Sequence, residues 1–287
     1  MLVAAQIVLF EPRGEAVRRL VGALGAAAAQ VGDSDSIRVH MGDCSPEPLS
    51  VNSQRALQEA ARGVGLECSY TFFGANLGHG VAQNRLAEEH RSDVIITVNP
   101  DSYPAPTSLR RLLDAFGGDR VVAAEGRQLP IESPKYVRAH DGAVAWATGF
   151  YLAIRKAAWE EVGGFDPAFF LQGDDVDLGV RLRRKGWNLR YVPNAVAFHE
   201  RGLETTGYAK SNPVEAHYIR LGELIHAAKA GQQAVIEDRR RAAAVGDPLL
   251  RAAVSEFDEM VAQGRVVVES GEGADPGAML EHGLRRF

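Results

Sequence analysis

Hydrophobic positions in the first hundred residues fall into short runs, separated by longer segments with helical spacing. Segments of strand length, either apolar or with apolar and polar positions mixed, predict strands at residues 6–10, 37–41, 68–73 and 94–98. The segments between them are predicted to be helices, at residues 15–30, at 52–64 and in a third segment that ends near residue 89. Strands and helices that alternate in this order predict a parallel sheet with right-handed crossovers.

The run at residues 94–98 is β-branched throughout and apolar on both faces, which is typical of a buried parallel strand. Pro100 cannot donate to a strand ladder, so the strand is expected to end at Asn99-Pro100-Asp101. Asp101 would then lie at the carboxyl end of a central strand, where open α/β sheets bind their ligands. Taken alone, these three residues are also typical of a simple turn.

The pattern of the next hundred residues predicts that the α/β domain continues with further strands and a short helix. Further strands are expected at residues 121–127 and 146–154, with a polar loop at 129–141 between them and a short helix at 156–162.

After residue 202 the hydrophobic pattern no longer alternates between strands and helices. Residues 213–230 and 235–263 each have the pattern of one helix, and the segment that follows is rich in glycine and acids. We therefore expect an α/β domain over residues 1–205, a helical extension over 206–268 and a mobile tail over 269–287.

The most informative segment holds three acids in four positions, Asp174, Asp175 and Asp177, directly before a helix with apolar periodicity. Carboxylates this close repel one another unless a cation, a base or a proton-donating substrate uses them. A helix N-terminus also favours acids in its first turn, but it does not explain the second acidic site at Asp101. A strand and then His199 follow the helix. A lone histidine after an apolar strand is more often a core residue than a metal ligand.

Composition narrows the class of function. The net charge of −5 argues against general nucleic-acid binding, but it leaves a nucleotide ligand open. The chain has two cysteines, Cys44 and Cys68, which fits a reducing compartment. Residues 1–10 lack the charged region of a signal peptide, and no run reaches the length of a membrane span. We expect a cytoplasmic protein, with peripheral contact at the inner face of the membrane if its substrate is lipid-linked.

A glycine-rich turn opens the predicted third helix, from Gly74 through Asn76, Gly78 and Gly80 to Asn84. Backbone N–H groups at such a turn can receive a phosphate. The glycine spacing differs from the dinucleotide fingerprint, and a flexible turn is the alternative reading.

Taken together, these motifs resemble the family-2 glycosyltransferases, and within them the rhamnosyltransferase-like branch, over about residues 5 to 205. The matching segments are Asn76-Leu-Gly78 with Asn84, Asn99-Pro100-Asp101, Gly163-Gly-Phe-Asp166 with Phe169-Phe170, Asp174-Asp-Val-Asp-Leu178, and Tyr191-Val-Pro193 through His199. The resemblance implies a GT-A fold, which is a Rossmann-like, mostly parallel central sheet flanked by helices. It also implies inverting transfer of a hexosyl group from a nucleoside diphosphate sugar, with Mg²⁺ or Mn²⁺ as cofactor.

The resemblance also assigns roles to residues. Asp101 and His199 would bind the metal, and Asp175 would be the general base with Asp174 beside it as a second catalytic residue. The residues implied to bind the nucleotide sugar are Asp43, Asn76, Gly78, Asn84, Asn99 and Asp101. Trp146 is our candidate for stacking on the acceptor sugar, with Gly149 and Asp174 completing the acceptor site.

This sequence departs from the family pattern at three of these positions. Asn99 replaces the first acid of the metal motif and removes one charge there. Asp174 stands where glutamate is usual, and Gly42-Asp43 replaces the more usual Asp-Asn at the nucleobase contact.

The resemblance suggests deoxythymidine diphosphate (dTDP)-rhamnose as the first candidate donor and uridine diphosphate (UDP) sugars as the second. The acceptor could be a glycan, a lipid-linked sugar or a small molecule. Two alternatives stay open at this point: a nucleotidyltransferase of similar fold, and a non-catalytic protein that binds carbohydrate or nucleotide. Oligomeric state cannot be read from the sequence.

Overall fold

Parallel strands form the first half of the central sheet, as the alternating pattern predicts. The structure is a computed structural model that describes residues 1–32, 34–117, 120–133, 135–200, 203–204, 207–208 and 212–269. The elements up to the end of the fourth strand are β1 (Leu2–Leu9), α1 (Gly14–Ala28), β2 (Ser36–Asp43), α2 (Val51–Gly63), β3 (Glu67–Phe72), α3 (His79–Glu89) and β4 (Val94–Val98). The strands pair in parallel in the order β3-β2-β1-β4.

The second half of the sheet is mixed rather than parallel. Its elements are β5 (Ser102–Pro104), α4 (Ser108–Asp114), a 3₁₀ turn (Ala115–Gly117), β6 (Val121–Leu129), β7 (Ala143–Val144), β8 (Tyr151–Arg155), α5 (Lys156–Glu161), α6 (Asp174–Arg184) and β9 (Asn188–His199). Strand β8 runs antiparallel to both β4 and β6, while β6 and β9 are parallel. The mostly parallel sheet is confirmed for the core, and the antiparallel pairs of this sheet involve β5, β7 and β8.

These pairings bring several chain segments to one edge. Because β8 is antiparallel to β4, the loop before β8 lies at the carboxyl end of β4. Because β6 and β9 run opposite to β8, their carboxyl ends lie at that same edge. Ligands of α/β sheets bind at such an edge.

The predicted strand at residues 146–154 begins too early. In the structure β8 starts at Tyr151, and residues 145–150 form a loop at the carboxyl edge. The Thr148-Gly149 turn interrupts the apolar run, and it delivers polar groups to the edge instead of extending the ladder.

Within residues 212–269, three helices lie where two are predicted: α7 (Pro213–Lys229), α8 (Gln233–Val245) and α9 (Pro248–Ala262). A two-residue hairpin, β10 (Leu203–Glu204) and β11 (Gly207–Tyr208), precedes them. The single helix predicted at 235–263 breaks at Gly246. Asp247 then caps a new helix by accepting a hydrogen bond from Leu249 N at 2.9 Å, and Pro248 fills the first helical position.

Among the described residues, the hydrophobic core has three parts around the sheet and a fourth among the C-terminal helices. The two larger clusters on the sheet include Leu20, Ile96 and Phe165, whereas α7, α8 and α9 share a cluster built around Leu224 and Phe257. Phe169 belongs to this helical cluster and so connects the C-terminal helices to the Gly-Gly-Phe-Asp segment.

Part of the predicted domain organisation falls on residues outside the described ranges. These include the boundary at residues 205 and 206 and all of the predicted tail except Glu269. Of the helices in the described ranges, none is both long and apolar enough to cross a lipid bilayer.

Candidate active site

A cleft of about 220 Å³ opens at the carboxyl edge of the sheet. Its walls come from the end of β4, the loop before β8, the N-terminus of α6 and the end of β9. The lining residues that matter below are His79, Asn99, Gly149, Asp174, Asp175 and His199. Asp174 and Asp175 therefore share one cleft with Asn99 of the turn that ends β4.

One end of the cleft gathers Asn99, Asp101 and His199. The short strand β5 pairs with the end of β9 so that Ser102 lies opposite His199, which places Asp101 beside the imidazole. His199 Nε2 lies 3.2 Å from Asp101 Oδ1 and 3.4 Å from Asn99 Nδ2. The ring stacks on Phe150 with 4.8 Å between centroids, and within the described ranges its Nδ1 is buried without a partner.

These residues fit a divalent cation that is bound partly by substrate. In the described ranges, no group of three or more His, Cys, Asp or Glu side chains converges as a complete metal cage. One carboxylate and one imidazole still offer oxygen and nitrogen ligands, and Mg²⁺ sites at phosphates use one or two carboxylates together with water and substrate oxygens. The metal role of Asp101 and His199 stays a prediction.

The other end of the cleft is the N-terminus of α6. Gly173 precedes the helix with φ of 89°, a left-handed conformation that glycine adopts without a Cβ penalty. The three acids of the first turn then diverge. Asp174 Oδ2 lies 2.7 Å from His79 Nδ1, and Asp175 Oδ2 accepts a hydrogen bond from Gly149 N at 3.2 Å.

Asp177 makes structural ion pairs and does not line the cleft. Its buried carboxylate accepts from Arg181 Nε at 2.6 Å and pairs with Lys229 Nζ at 2.6 Å. Lys229 also pairs with Asp166 of the Gly-Gly-Phe-Asp segment. The ion pairs therefore join α6, α7 and the segment before α6.

Asp175 has the electrostatics of a base that works near neutral pH. Burial, followed by the charge of Asp174, raises the pKa of Asp175 to about 6, against the opposing effects of Lys135 and the N–H groups of Gly149 and Val176. A carboxylate with its pKa in this range can take a proton in the transition state.

The loop before β8 is held by a buried ion pair that the sequence pattern does not predict. Lys135 and Glu125 are each 5% exposed, with Nζ 2.6 Å from Oε2. Glu125 also accepts from the Thr148 hydroxyl at 3.0 Å, and the Lys135 ammonium lies 3.8 Å from the centroid of the Trp146 ring. Glu125 lies on β6, and Lys135 lies ten positions later in the loop that follows, and nothing in this spacing predicts the pairing.

Comparison with known proteins now identifies the domain. Residues 128–213 match the model of the family described as "Glycosyltransferase like family 2". This range of the chain therefore matches a family 2 glycosyltransferase domain. The matched range contains Gly149, the three acids of α6 and His199, so it covers most of the cleft.

Among proteins of known function, the domain is similar to rhamnosyltransferases. It is 30% identical to the N-acetylglucosaminyl-diphospho-decaprenol L-rhamnosyltransferase of Mycobacterium tuberculosis over 192 residues, which cover 50% of this chain and 62% of that protein. It is 36% identical to the rhamnosyltransferase WbbL of Escherichia coli over 66 residues, 23% of this chain and 25% of that protein. The chain thus spans less than two thirds of the length of these curated relatives.

Solved structures support the GT-A fold. The mannosyltransferase PcManGT of Pyrobaculum calidifontis, solved with GDP-Man and Mn²⁺, superposes with a TM-score of 0.56 at 14% identity, over 91% of this chain and 74% of that one. GalNAc-T7, solved with UDP, GalNAc and Mn²⁺, superposes with a TM-score of 0.61 at 13% identity, over 92% and 57%. At this level of identity the likeness concerns the fold.

The glycine-rich turn before α3 packs against the Phe169-Phe170 segment. Gly78 has φ of 75°, and a Cβ there would lie 2.3 Å from the Phe170 carbonyl oxygen. That carbonyl accepts from His79 N at 3.0 Å. Asn76 is exposed, and its Oδ1 accepts from Gly78 N at 3.2 Å. The nucleotide-binding role of this turn stays a prediction.

Asn84 holds the chain in place in this conformation. Its amide donates to Phe165 O and accepts from Phe165 N, both at 2.8 Å. Gly164 packs so closely that a Cβ would lie 2.2 Å from Asn84 Oδ1. These contacts make Asn84 a positioning residue for the Gly-Gly-Phe-Asp segment, and direct contact with the nucleotide sugar stays a prediction.

Asp43, at the end of β2, is fully buried. It accepts from Tyr70 Oη at 2.6 Å and from Ser45 N at 2.9 Å. Burial and the bond to Asp43 raise the pKa of Tyr70 to about 12. The carboxylate therefore shapes the turn after β2. Its predicted contact with the nucleobase remains a prediction.

Trp146 is 7% exposed, and one face of its ring is covered by Lys135. Its Nε1 is buried without a partner in the described ranges. An acceptor sugar could not stack on the covered face in this conformation, and the acceptor role stays a prediction. Gly149, by contrast, lies on the cleft wall, where a Cβ would come 3.1 Å from His79 Cε1.

Proposed function

We propose that the protein is an inverting, metal-dependent glycosyltransferase that moves a sugar from a nucleoside diphosphate donor to an acceptor hydroxyl. The observation that carries the proposal is the convergence of two groups on one cleft of a family 2 domain. Asn99, Asp101 and His199 lie at one end, and Asp174 and Asp175 lie at the other.

Asp175 would act as the general base. Inverting transfer requires the acceptor hydroxyl to lose its proton as the oxygen attacks the sugar carbon. Asp175 is partly exposed to the cleft, is held by Gly149 N, and has its pKa raised to about 6 chiefly by burial. At neutral pH it is therefore mostly ionised and able to accept that proton, which is worth about 10²–10⁴-fold in rate.

Asp101 and His199 would hold the cofactor, Mg²⁺ or Mn²⁺, with Asn99 beside them. When bound, a divalent cation stabilises the negative charge that develops on the leaving diphosphate. Asn99 carries no charge, so the protein supplies a single carboxylate there and leaves coordination positions for phosphate oxygens and water. The Phe150 stack fixes the His199 ring at this end of the cleft.

For the substrates, similarity to curated rhamnosyltransferases favours a rhamnosyl donor. The family resemblance of the sequence makes dTDP-rhamnose the first choice, with UDP sugars as the second. The Mycobacterium tuberculosis relative is named for an acceptor in which a sugar diphosphate is attached to decaprenol. We propose a hydroxyl of a glycan, most specifically of a lipid-linked sugar diphosphate, as the acceptor here. A lipid-linked acceptor would require contact with the membrane surface at its cytoplasmic face.

A transfer assay tests the proposal. The full chain is incubated with dTDP-rhamnose or a UDP sugar, Mn²⁺, and a short-chain polyprenyl-diphosphate N-acetylglucosamine. Product and released nucleoside diphosphate are measured together, with and without chelator. Stoichiometric, chelator-sensitive formation of both is expected. Release of pyrophosphate with a nucleotidyl product would instead indicate a nucleotidyltransferase. Metal-dependent binding of the donor without any turnover would indicate a binding protein.

A further inference from the structure

His79 is an ionisable side chain of the cleft to which the proposed reaction assigns no role. It is the first residue of α3, directly after the left-handed Gly78. Its side chain is 20% exposed, and it lines the cleft together with Gly149, Asp174 and Asp175. The glycine-rich turn around it predicts phosphate binding by backbone N–H groups and predicts no role for the imidazole in the reaction.

The ring of His79 is fixed by three chain segments. From α6, Asp174 Oδ2 lies 2.7 Å from Nδ1. From the segment before α6, Phe165 packs with 5.3 Å between ring centroids. From the loop before β8, Gly149 approaches so closely that a Cβ would lie 3.1 Å from Cε1. A ring held in this way can present a charge at a defined position.

The charges that face His79 are both negative. Asp174 and Asp175 come from α6, while Gln83 of α3 and the Gly149 backbone are uncharged. Burial favours the neutral ring, but the charge and hydrogen bond of Asp174 and the charge of Asp175 outweigh it and raise the pKa of His79. The site therefore favours an imidazolium beside two adjacent carboxylates.

We propose that His79 is a positioning residue that acts as an imidazolium: it holds Asp174 against α3 and offsets its charge, which leaves Asp175 as the ionised carboxylate for the acceptor hydroxyl. This inference rests on the proposed function, because it assigns His79 to the same reaction. An interaction between two ionisable groups acts equally on both of them. The negative charge of Asp175 favours the imidazolium, and the imidazolium therefore favours ionised Asp175.

Two substitutions separate the charge from the packing. His79→Asn keeps a hydrogen-bond donor near the position of Nδ1 but removes the positive charge, whereas His79→Leu removes both. His217→Asn is the matched control, because His217 Nε2 makes a similar 2.7 Å contact with Glu256 among the C-terminal helices, away from the cleft.

The readout is the pH dependence of kcat for sugar transfer. On the low-pH side of the profile, kcat falls as Asp175 is protonated; this is the acid limb. With His79→Asn we expect the acid limb to move to higher pH by about one unit, so that kcat at a pH below the limb falls about tenfold. The rate at pH 8 should be largely kept. His79→Leu should show the same displacement and a lower plateau, and His217→Asn should match the wild type. If the acid limb stays in place in both His79 variants, the inference is overturned, since a side chain that only packs would lower the rate equally at every pH.

A second measurement does not depend on activity. The His79 imidazole of the full chain is titrated by NMR in the wild type and in Asp174→Asn. We expect a midpoint above the ordinary histidine value of about 6.5 in the wild type and a lower midpoint in the variant. A wild-type midpoint at or below that value overturns the inference. A wild type that transfers no sugar but shows the raised midpoint would overturn the proposed function and leave the His79–Asp174 pairing intact.

Discussion

The two ends of the cleft are built in different ways. The end with Asp101 and His199 is set by backbone pairing, because Ser102 and His199 are opposite each other in the β5–β9 ladder. The end with Asp175 is set by side chains and loops, through Gly149 N, the charge of Lys135 and the neighbouring Asp174. We infer that the first end supplies a stable frame for the donor, whereas reactivity is adjusted at the second.

The largest expected effect is at the base. Asp175→Asn should keep donor binding and lower kcat by about 10²–10⁴-fold, because the amide keeps the size of the side chain and cannot accept the proton. Transfer rate and donor affinity are measured side by side, with Asp114→Asn on the exposed face of α4 as the control. A variant with the wild-type kcat would remove Asp175 from the proposed role.

The next effect concerns the metal end. His199→Phe keeps a ring to stack on Phe150 and removes both imidazole nitrogens. At a ligand concentration of 100 times Kd, binding stabilises the native state by about 2.7 kcal/mol. We expect the variant to lose most of the Mn²⁺-dependent stabilisation by dTDP, as measured by thermal unfolding. A Mn²⁺-dependent shift equal to that of the wild type would show that His199 is not a ligand.

A smaller effect is expected where the C-terminal helices meet the cleft. Lys229→Met removes the cation shared by Asp166 and Asp177 and should lower the free energy of unfolding by about 1.5–3 kcal/mol. Burial raises the pKa of Asp166, but the hydrogen bond and charge of Lys229, together with a backbone N–H and a second cation, lower it below its ordinary value. The stabilisation from this ion pair is therefore present above the ordinary carboxylate pKa and is lost as the pH falls. Urea unfolding at two pH values checks this. Lys185→Met, which removes an exposed 3.9 Å pair, should cost far less.

The smallest expected effect is on the pKa of the proposed base, Asp175. Lys135 lowers the pKa of Asp175, so removing its charge should raise that pKa and move the acid limb of the transfer rate to higher pH by a few tenths of a unit. The double variant Glu125→Gln/Lys135→Met avoids leaving one buried charge unpaired. Lys135→Arg keeps the charge and should leave the limb in place. A limb that moves to lower pH would contradict the role given to Lys135.

Much of the fold could be predicted because its signals are local. The run at residues 94–98 matches β4, and Pro100 marks its end correctly. The break at Gly246 was missed because the apolar periodicity of α8 continues into α9, although Asp247 and Pro248 carry a recognisable helix start. The antiparallel direction of β8 has no local signal in the sequence, because strand direction depends on long-range pairing.

The site was predictable in its residues more than in its contacts. Asp175 and His199 stand out as an acid and a histidine at predicted element ends, and the structure brings both to one cleft. The pairing of His79 with Asp174 spans 95 positions, and that of Lys135 with Glu125 joins a loop to strand β6. Sequence spacing carries no signal for such pairs, since they depend on how loops fold over the sheet.

The most direct test separates the two ends of the cleft in one calorimetric experiment. Binding of dTDP in the presence of Mn²⁺ is titrated for the wild type, His199→Phe and Asp175→Asn. We predict metal-dependent binding that persists in Asp175→Asn and is lost in His199→Phe. Binding that is independent of Mn²⁺, or equal in all three proteins, would contradict the assignment of donor and metal to the end of the cleft formed by Asp101 and His199.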